Sequence, residues 1–326
     1  MLISDVQFAV KIPPHIRSEK LWVIGLSGGA DSLCLTLLAN EYAQSNEIRI
    51  FACIVDHNLR AESSTEIIPI ANILEDRKIP YEIVQWEHPK NIGGNIELKA
   101  RLARYNLLYH VCKKLKCNVL MTAHHALDQW ETFFMRLSKG SSIKGLSCIK
   151  SLTTLNDIKL VRPILDFSPD DIKKTLTERF NISNWVMDPS NKDPRFERTK
   201  WRMAYPELLK KYNLSIENVC KAINRLQNTN DCLDDIAEDL ILQIFDGIYL
   251  DLAKFKKLHA ELKLRVLEKV VLIVSPKGKH IVSYDLLKRT SGSLCNIDFS
   301  ATNLSGVILR KDKTKNIRVY QEKRTS

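Results

Sequence analysis

A glycine-rich stretch near the start of the chain, SGGADS at residues 27–32, has the residue types of a phosphate-binding loop. Apolar runs precede and follow it, which predicts a strand, a loop and a helix. Two glycines let backbone N–H groups approach an anion, and the helix adds the positive end of its dipole. Ser27 and Ser32 add hydroxyl donors. The alternative is a structural Gly-Gly turn followed by an Asp-Ser helix cap.

No lysine follows this loop, unlike the common nucleotide loop that continues with Gly-Lys-Ser/Thr. In that loop the lysine reaches the β- and γ-phosphates. A loop without it is better suited to holding pyrophosphate as a leaving group. Asp31 repels phosphate unless a cation lies between them, so we expect Mg²⁺ at Asp31.

A second group of polar side chains lies in TAHHALDQWET, residues 122–132. On a helix, Asp128 and Glu131 are three residues apart and share a face. Adjacent carboxylates favour a cation, either Mg²⁺ or an ammonium group. His124 and His125 are suited to binding phosphate or to acting as a general base. This segment is the strongest local cluster in the chain.

Further charged residues follow other apolar runs or lie on helical patterns. Asp56, His57 and Arg60 come at the end of an Ile- and Val-rich run. Arg101 and Arg104 lie on successive turns of a predicted helix. Arg101 is also four residues from Glu97, a spacing equally typical of a solvated salt bridge.

Strands and helices alternate over the first 125 residues, and this pattern must position these side chains. The strands are predicted at 22–26, 48–56, 81–86 and 118–123, and the helices at 31–45, 62–78 and 95–116. Such alternation predicts a parallel sheet with right-handed crossovers. Ligands of these sheets lie at the carboxyl ends of the strands, where the loop at 27–29 and the His124-His125 pair fall.

The rest of the chain contains a short strand in IKLVRPIL, a helix at about 168–180, and helical patterns from about 213. The tail alternates apolar and polar residues around a polar turn, which predicts a β-hairpin. The fold class is therefore α/β: a doubly wound, Rossmann-like parallel sheet, then a smaller, mainly helical region ending in a hairpin. We place the domains at 1–208 and 209–326.

Composition narrows the class of protein. The 326 residues carry a net charge of +11, and the tail is basic, which favours a polyanion such as nucleic acid. The eight cysteines include no Cys-x-x-Cys pair, which argues against zinc and disulfides. No long apolar run or signal peptide is visible, so we expect a cytoplasmic protein without a membrane partner.

The loop at 27–32 resembles the PP-loop of the N-type ATP pyrophosphatases, which cleave ATP between the α- and β-phosphates to adenylate an acceptor. Other segments resemble motifs of the tRNA(Ile)-lysidine synthase family and occur in the same order along the chain. They are IVDHNLR (54–60), GNIELKARLARY (94–105), TAHHALDQWET (122–132), KGLS (144–147), RPIL (162–165) and DPSNKDPRFERTKWR (188–202). The resemblance is dense over residues 20–205 and weaker beyond 206.

This resemblance implies adenylation of the wobble cytidine of an isoleucine tRNA with a CAU anticodon, followed by attack of the free lysine ε-amine. It implies ATP and Mg²⁺ as cofactors, tRNA and L-lysine as partners, and a homodimer as a further expectation. The expected catalytic residues are Asp31, His57, His124 and Arg198. ATP is expected at Ser27, Gly28, Gly29, Ala30, Asp31, Ser32 and Arg101, Mg²⁺ at Asp31, lysine at Asp128 and Glu131, and tRNA at Arg104, Lys144 and Arg202.

The chain departs from the family pattern at Leu127, where the family usually has the first of two aspartates. It is also shorter than the longer members, which carry an additional C-terminal tRNA-binding domain, so the contribution of that domain is expected either from residues 206–326 or not at all. Three alternatives stay open: a tRNA 2-thiolation enzyme of the same superfamily, a small-molecule synthetase, and a non-catalytic RNA-binding protein. Thiolation needs a reactive cysteine, which no motif here indicates.

Overall fold

The structure, a computed structural model, describes residues 1–56, 63–88, 96–186, 193, 195, 197–275, 282–314 and 316–322, without the side chains of 63–66 and 97. His57 and Arg60 therefore lie outside the described residues. The chain forms two compact units. The first comprises residues 1–141 and 145–224, and the second comprises 142–144 and 225–326.

The helices of the first unit are α1 (Asp5–Ala9), α2 (Pro14–Arg17), α3 (Ala30–Ser45), α4 (Ser63–Asp76), α5 (Ile96–Lys114), α6 (Ala126–Leu137), α7 (Ile143–Leu146, shared with the second unit), α8 (Pro169–Lys174), α9 (Glu197–Tyr212) and the start of α10 (Ile216–Ile244). Its strands are β1 (Leu21–Leu26), β2 (Arg49–Asp56), β3 (Tyr81–Gln85), β4 (Val119–Met121), β5 (Leu152–Leu155) and β6 (Ile158–Val161). The predicted alternation of strands and helices is confirmed.

These six strands form one sheet in the order β3-β2-β1-β4-β6-β5. All neighbours are parallel except β5, which pairs antiparallel with β6 at the edge. Burial explains the central position of β1: Trp22, Val23 and Ile24 are fully buried, as expected for a strand covered on both faces. Helix α3 is buried on nearly every side from Ala30 to Ala39, so the segment after β1 is held rigidly.

The second unit contains the rest of α10, with β7 (Tyr249–Leu250), α11 (Leu252–Lys257), α12 (Ala260–Val274), α13 (Tyr284–Cys295), β8 (Ala301–Leu304), β9 (Val307–Lys311) and β10 (Ile317–Gln321). Its strands form an antiparallel sheet in the order β7-β10-β9-β8. Leu309, Ile317 and Val319 face a core shared with α12 and α13. The predicted hairpin is β9–β10, and the structure adds a strand on each side of it.

The α/β fold class is confirmed, and the remaining differences are local. The sequence analysis did not predict α1, α2 or β5, because elements of four or five residues are too short to show a periodic pattern. The helix predicted at 168–180 is α8 followed by one π-helical turn, Thr175–Arg179. Hydrophobic spacing does not distinguish that turn from an α-helix.

Candidate active site

Two predicted functional segments lie at the same edge of the six-stranded sheet. β1 is flanked by β2 on one side and β4 on the other, so the strand order reverses at β1. The crevice at such a reversal, beyond the carboxyl ends of the strands, is where doubly wound sheets bind ligands. The loop at 27–29 follows β1 and the His124-His125 pair follows β4, which confirms the predicted shared edge.

The glycine loop has a conformation that requires glycine. Gly28 has a φ of +81°, and a Cβ there would lie 2.1 Å from Cδ1 of Ile70. Gly29 is the N-cap of α3, and no side chain of the described residues caps this helix. The first N–H groups of α3 are therefore available to an anion.

Hydrogen bonds within the loop hold it in place without a ligand. The backbone N–H of Ser27 donates to Oγ of Ser32 over 3.1 Å, and that hydroxyl donates to the carbonyl of Gly29, also over 3.1 Å. The two serine Oγ atoms are 3.1 Å apart. The carbonyl of Gly28 accepts from the N–H of Val186 at 3.1 Å. Both predicted serine donors therefore lie at the loop, facing each other.

His125 lies between two carboxylates. Its Nε2 is 3.5 Å from Oδ2 of Asp31, and its Nδ1 is 3.6 Å from Oδ2 of Asp128. His125 is also the N-cap of α6, and its backbone N–H donates to Oδ2 of Asp128 at 3.0 Å. Asp31, at the start of α3, and Asp128, on α6, are thus brought together through one imidazole.

The charges at this point reinforce each other. Burial lowers the pKa of His125, but Asp128, Asp31 and Glu131 outweigh it and raise the pKa to about 9. Burial raises the pKa of Asp128, but the charge of His125 and the hydrogen bond from its backbone N–H outweigh it and lower the pKa to about 2. His125 is therefore a buried cation at neutral pH. In that form its Nδ1 donates and does not accept from the backbone N–H of Asp128, 3.4 Å away, which donates to the carbonyl of His125 at 3.0 Å.

Helix α6 presents Asp128 and Glu131 on one face, as predicted, and two arginines of α9 face them. Arg202 donates from Nε to Oε1 of Glu131 at 2.6 Å, and Arg198 lies 3.8 Å from Oδ1 of Asp128. Glu131 is fully buried, and its Oε2 has no hydrogen-bond partner among the described residues. Burial raises the pKa of Glu131 despite Arg202.

An aromatic cluster holds α9 against α6. Trp130 of α6 meets Trp201 and Tyr205 of α9 with ring centroids 6.4 Å and 5.1 Å apart. On a helix, Trp201 and Tyr205 form one stripe while Arg198 and Arg202 form another. The apolar stripe therefore sets where the two arginines point.

Leu127 belongs to this same apolar cluster rather than to the acidic group. It packs with Trp130 and its neighbours, one position away from Asp128 on α6. Three other acids, Asp31, Asp128 and Glu131, already converge on His125. The unusual leucine thus contributes to the attachment of α9.

His124 differs from its neighbour. Its Nδ1 is 3.1 Å from Oγ1 of Thr122, and burial, with Arg162, Arg101 and Arg104 nearby, lowers its pKa to about 3 against the opposing effect of Asp128. It is therefore a neutral hydrogen-bonding group.

The remaining predicted residues lie in different surroundings. Arg101 and Arg104 of α5 stack over the Tyr105 ring, with Cζ 5.2 Å and 5.5 Å from its centroid. Lys144 falls in the second unit and forms an ion pair of 2.7 Å with Glu268.

Sequence reasoning named His125 only as one of the histidine pair, without a role of its own, and did not select Tyr105 or Arg162 as site residues. The capping-box spacing from His125 to Asp128 was a usable signal, since a capping side chain must lie at the helix start. No spacing signal links Arg162 to Tyr105, because Arg162 follows β6 whereas Tyr105 lies in α5.

Among the described residues, no cluster of three or more His, Cys, Asp or Glu side chains could hold a metal ion alone. Mg²⁺ commonly takes one or two carboxylates and completes its shell with water and phosphate oxygens. Asp31 fits such a role, because its side chain is 38% exposed and lies in the first turn of α3 beside the loop. In the described part of the chain, no helix has both the length and the apolar character needed to cross a membrane.

A solved structure shares this fold. It is a U34-tRNA thiolase, NcsA, from Methanococcus maripaludis with its [4Fe-4S] cluster; the match has a TM-score of 0.58 and 21% identity, covering 69% of this chain and 78% of the thiolase. At that identity the similarity concerns the fold alone.

Curated relatives match over more of the chain. A tRNA(Ile)-lysidine synthase of Rickettsia typhi is 31% identical over 298 residues, covering 88% of this chain and 66% of the relative. One from Rickettsia bellii is 30% identical over 307 residues, covering 92% and 69%. The chain thus spans about two thirds of the length of these relatives. A family model described as the PP-loop domain matches residues 4–208. The family model, the relatives and the glycine loop before the uncapped start of α3 all indicate the same family. The chain belongs to the tRNA(Ile)-lysidine synthase family of PP-loop proteins.

Proposed function

We propose that this chain adenylates C2 of the wobble cytidine in an isoleucine tRNA with a CAU anticodon and then joins lysine to that carbon. The product, lysidine, changes codon recognition from AUG to AUA. One observation carries the proposal in a chain of this family. The glycine loop with the uncapped start of α3 and the acid pair Asp128 and Glu131 lie at the same edge of the sheet. From the proposed tRNA substrate we infer a cytoplasmic location, and the homodimer stays a prediction.

In the first step, the cytidine O2 attacks the α-phosphorus of ATP and pyrophosphate leaves with the bonding electron pair. The N–H groups at the start of α3 and the hydroxyls of Ser27 and Ser32 are placed to bind the pyrophosphate. Asp31 would hold Mg²⁺, which would neutralise part of the phosphate charge. Arg101 and His57 are proposed ATP contacts, and His124 and Arg198 are proposed to stabilise the adenylate.

In the second step, the lysine nitrogen attacks C2, the bond from C2 to the AMP oxygen breaks, and the nitrogen loses a proton. Asp128, with its lowered pKa, stays charged and attracts the ammonium group. Glu131 is the better proton acceptor, because its pKa is raised and its Oε2 is unpartnered among the described residues.

The sheet of the second unit offers a surface for tRNA phosphates. Arg310 of β9 and Arg318 of β10 are exposed and directly opposite each other in the antiparallel register. Like charges in that arrangement are unfavourable unless an anion binds between them. Arg104, Lys144 and Arg202 remain proposed tRNA contacts, although the last two already have carboxylate partners.

The test is incorporation of radiolabelled lysine into the tRNA with ATP, measured together with AMP release. The matched control is the same tRNA with the wobble cytidine changed to uridine, which lacks the 4-amino group and the unprotonated N3 that make O2 of cytidine nucleophilic. We expect label in the first tRNA only. A folded protein that binds the tRNA but incorporates no lysine would contradict the proposal and favour a non-catalytic RNA-binding role.

Thiolation, the chemistry named for the solved structure with this fold, is the second candidate. Sulfur transfer needs a reactive thiolate. Burial raises the pKa of Cys34, Cys53 and Cys220 to about 12. The hydrogen bond from Cys112 lowers the pKa of Cys117. However, Sγ of Cys117 donates to the carbonyl of Leu21, at the end of β1 opposite the glycine loop. These four cysteines therefore do not support sulfur transfer at the loop.

A further inference from the structure

Arg162 follows β6 at the same sheet edge as His124 and is only 7% exposed. One terminal nitrogen of its guanidinium donates to the carbonyl of Lys150 at 2.6 Å and to Oγ1 of Thr153 at 3.1 Å. Its Nε is buried and has no hydrogen-bond partner among the described residues. The guanidinium is thus anchored at one side, with a donor left unused.

Tyr105 of α5 presents a second unused group beside Arg162. Its hydroxyl is buried, and although Arg104 and Arg162 both interact with it, none of its contacts within the described residues has hydrogen-bond geometry. Arg101 and Arg104 lie against the same ring. Three guanidinium groups therefore interact with one Tyr105 side chain, whose hydroxyl makes no hydrogen bond of normal geometry within the described residues.

No carboxylate of the described residues forms an ion pair with Arg101, Arg104 or Arg162, in contrast to Arg202 beside Glu131. Their neighbour His124 is neutral. Burying cations and unpaired donors is costly unless an anion compensates them. The cost is recovered when an oxyanion accepts hydrogen bonds from Tyr105 and from Nε of Arg162.

We propose that Tyr105 and Arg162, supported by Arg101 and Arg104, form a buried oxyanion-binding site beside the acidic group. The inference rests on the proposed function for the identity of the oxyanion, which is either the α-carboxylate of lysine or a phosphate of a nucleotide substrate. A carboxylate here, with the ε-ammonium group at Asp128 and Glu131, would bind both ends of lysine.

The main variant is Tyr105→Phe, because it removes only a hydroxyl that makes no hydrogen bond of normal geometry within the described residues. We expect the unliganded variant to be at least as stable as the wild type, while affinity for the oxyanion falls about 10- to 100-fold, as expected for a hydrogen bond to a charged group. Arg162→Lys is the second variant. The matched controls are Tyr109→Phe, whose exposed hydroxyl donates to Asp157, and Arg77→Gln, whose guanidinium donates to the carbonyl of Phe180.

Kinetics with two amines distinguish the sources. Cadaverine is lysine without its carboxylate. If Tyr105→Phe raises the KM for lysine but not for cadaverine, the site binds the carboxylate. If it raises the KM for ATP or tRNA instead, the site binds a phosphate. Unchanged KM values for all four in a folded variant overturn the proposal.

A binding measurement keeps this inference separate from the proposed function. The probe is sodium sulfate against sodium chloride at equal ionic strength, read as the rise in melting temperature. A smaller sulfate-specific rise in Tyr105→Phe than in the wild type and Tyr109→Phe supports the site, even if the wild type incorporates no lysine. Equal rises in all three proteins contradict it, even if lysidine is formed.

Discussion

The acidic and cationic groups at the sheet edge of the first unit are built in opposite ways. Asp31, Asp128 and Glu131 each contact a positive partner, either His125 or Arg202. The arginines around Tyr105 have no carboxylate partner within the described residues. The acidic group is therefore assembled without a ligand, whereas the cationic group is incomplete. The cationic group is therefore the half of the site that binding of an anion stabilises most.

The largest expected effect comes from removing the acid nearest the loop. Asp31→Asn should reduce pyrophosphate release from ATP on the order of 100- to 1,000-fold, by analogy with the loss of one group that stabilises transition-state charge. Binding of tRNA should change little, because Asp31 contacts only His125 in the acidic group. The two quantities are measured by pyrophosphate release and by filter binding. A loss of tRNA binding instead would show that the loop has another role.

The acidic group should also make stability depend on pH. The pKa of folded His125, about 9, exceeds its unfolded value near 6.5, so its stabilisation is complete below pH 6.5 and is lost as pH rises through 9. The change is roughly 3 kcal/mol at most, since each pKa unit is about 1.4 kcal/mol. Urea unfolding at pH 6.5 and 9.5 measures it.

The control for this prediction is His125→Gln, which should be less stable at pH 6.5 and should show a smaller decline between the two pH values. An unchanged pH dependence in that variant would show that His125 is not the responsible cation.

A smaller effect is expected from restoring an acid at position 127. Leu127→Asp should destabilise the protein by about 1–3 kcal/mol, since it places a carboxylate in the apolar cluster between α6 and α9. Activity should not rise, because the side chain does not join Asp128. Leu127→Met, which conserves volume, is the control. An increase in lysine incorporation by Leu127→Asp would contradict the assigned position of this side chain.

The smallest effect on stability is expected at Arg198, which lies between the acidic group and the cationic group. Arg198 is 3.8 Å from Asp128 and repels Arg104, so Arg198→Gln should change the free energy of unfolding by less than about 0.5 kcal/mol. A fall in adenylate formation at unchanged stability would support the proposed role of Arg198. Full activity would assign Arg198 to the surface of α9 alone.

Much of the fold was predictable from the sequence because long strands and helices carry a periodic signal. The loop at 27–32 and the carboxylates of α6 were also predictable, since both depend on near neighbours in the chain. The packing of Leu127 was not predictable, because it depends on which side of α6 meets Trp201 of α9. His125 and His124 have similar sequence surroundings but pKa values of about 9 and about 3.

The glycine loop, the missing lysine and the acid spacing follow from local sequence, because backbone sterics and helix geometry act over a few residues. Long-range packing is what joins Asp31 to Asp128 through His125 and brings Arg162 to Tyr105. Those relations depend on burial and charge among distant segments, which the strand order brings to one edge of the sheet.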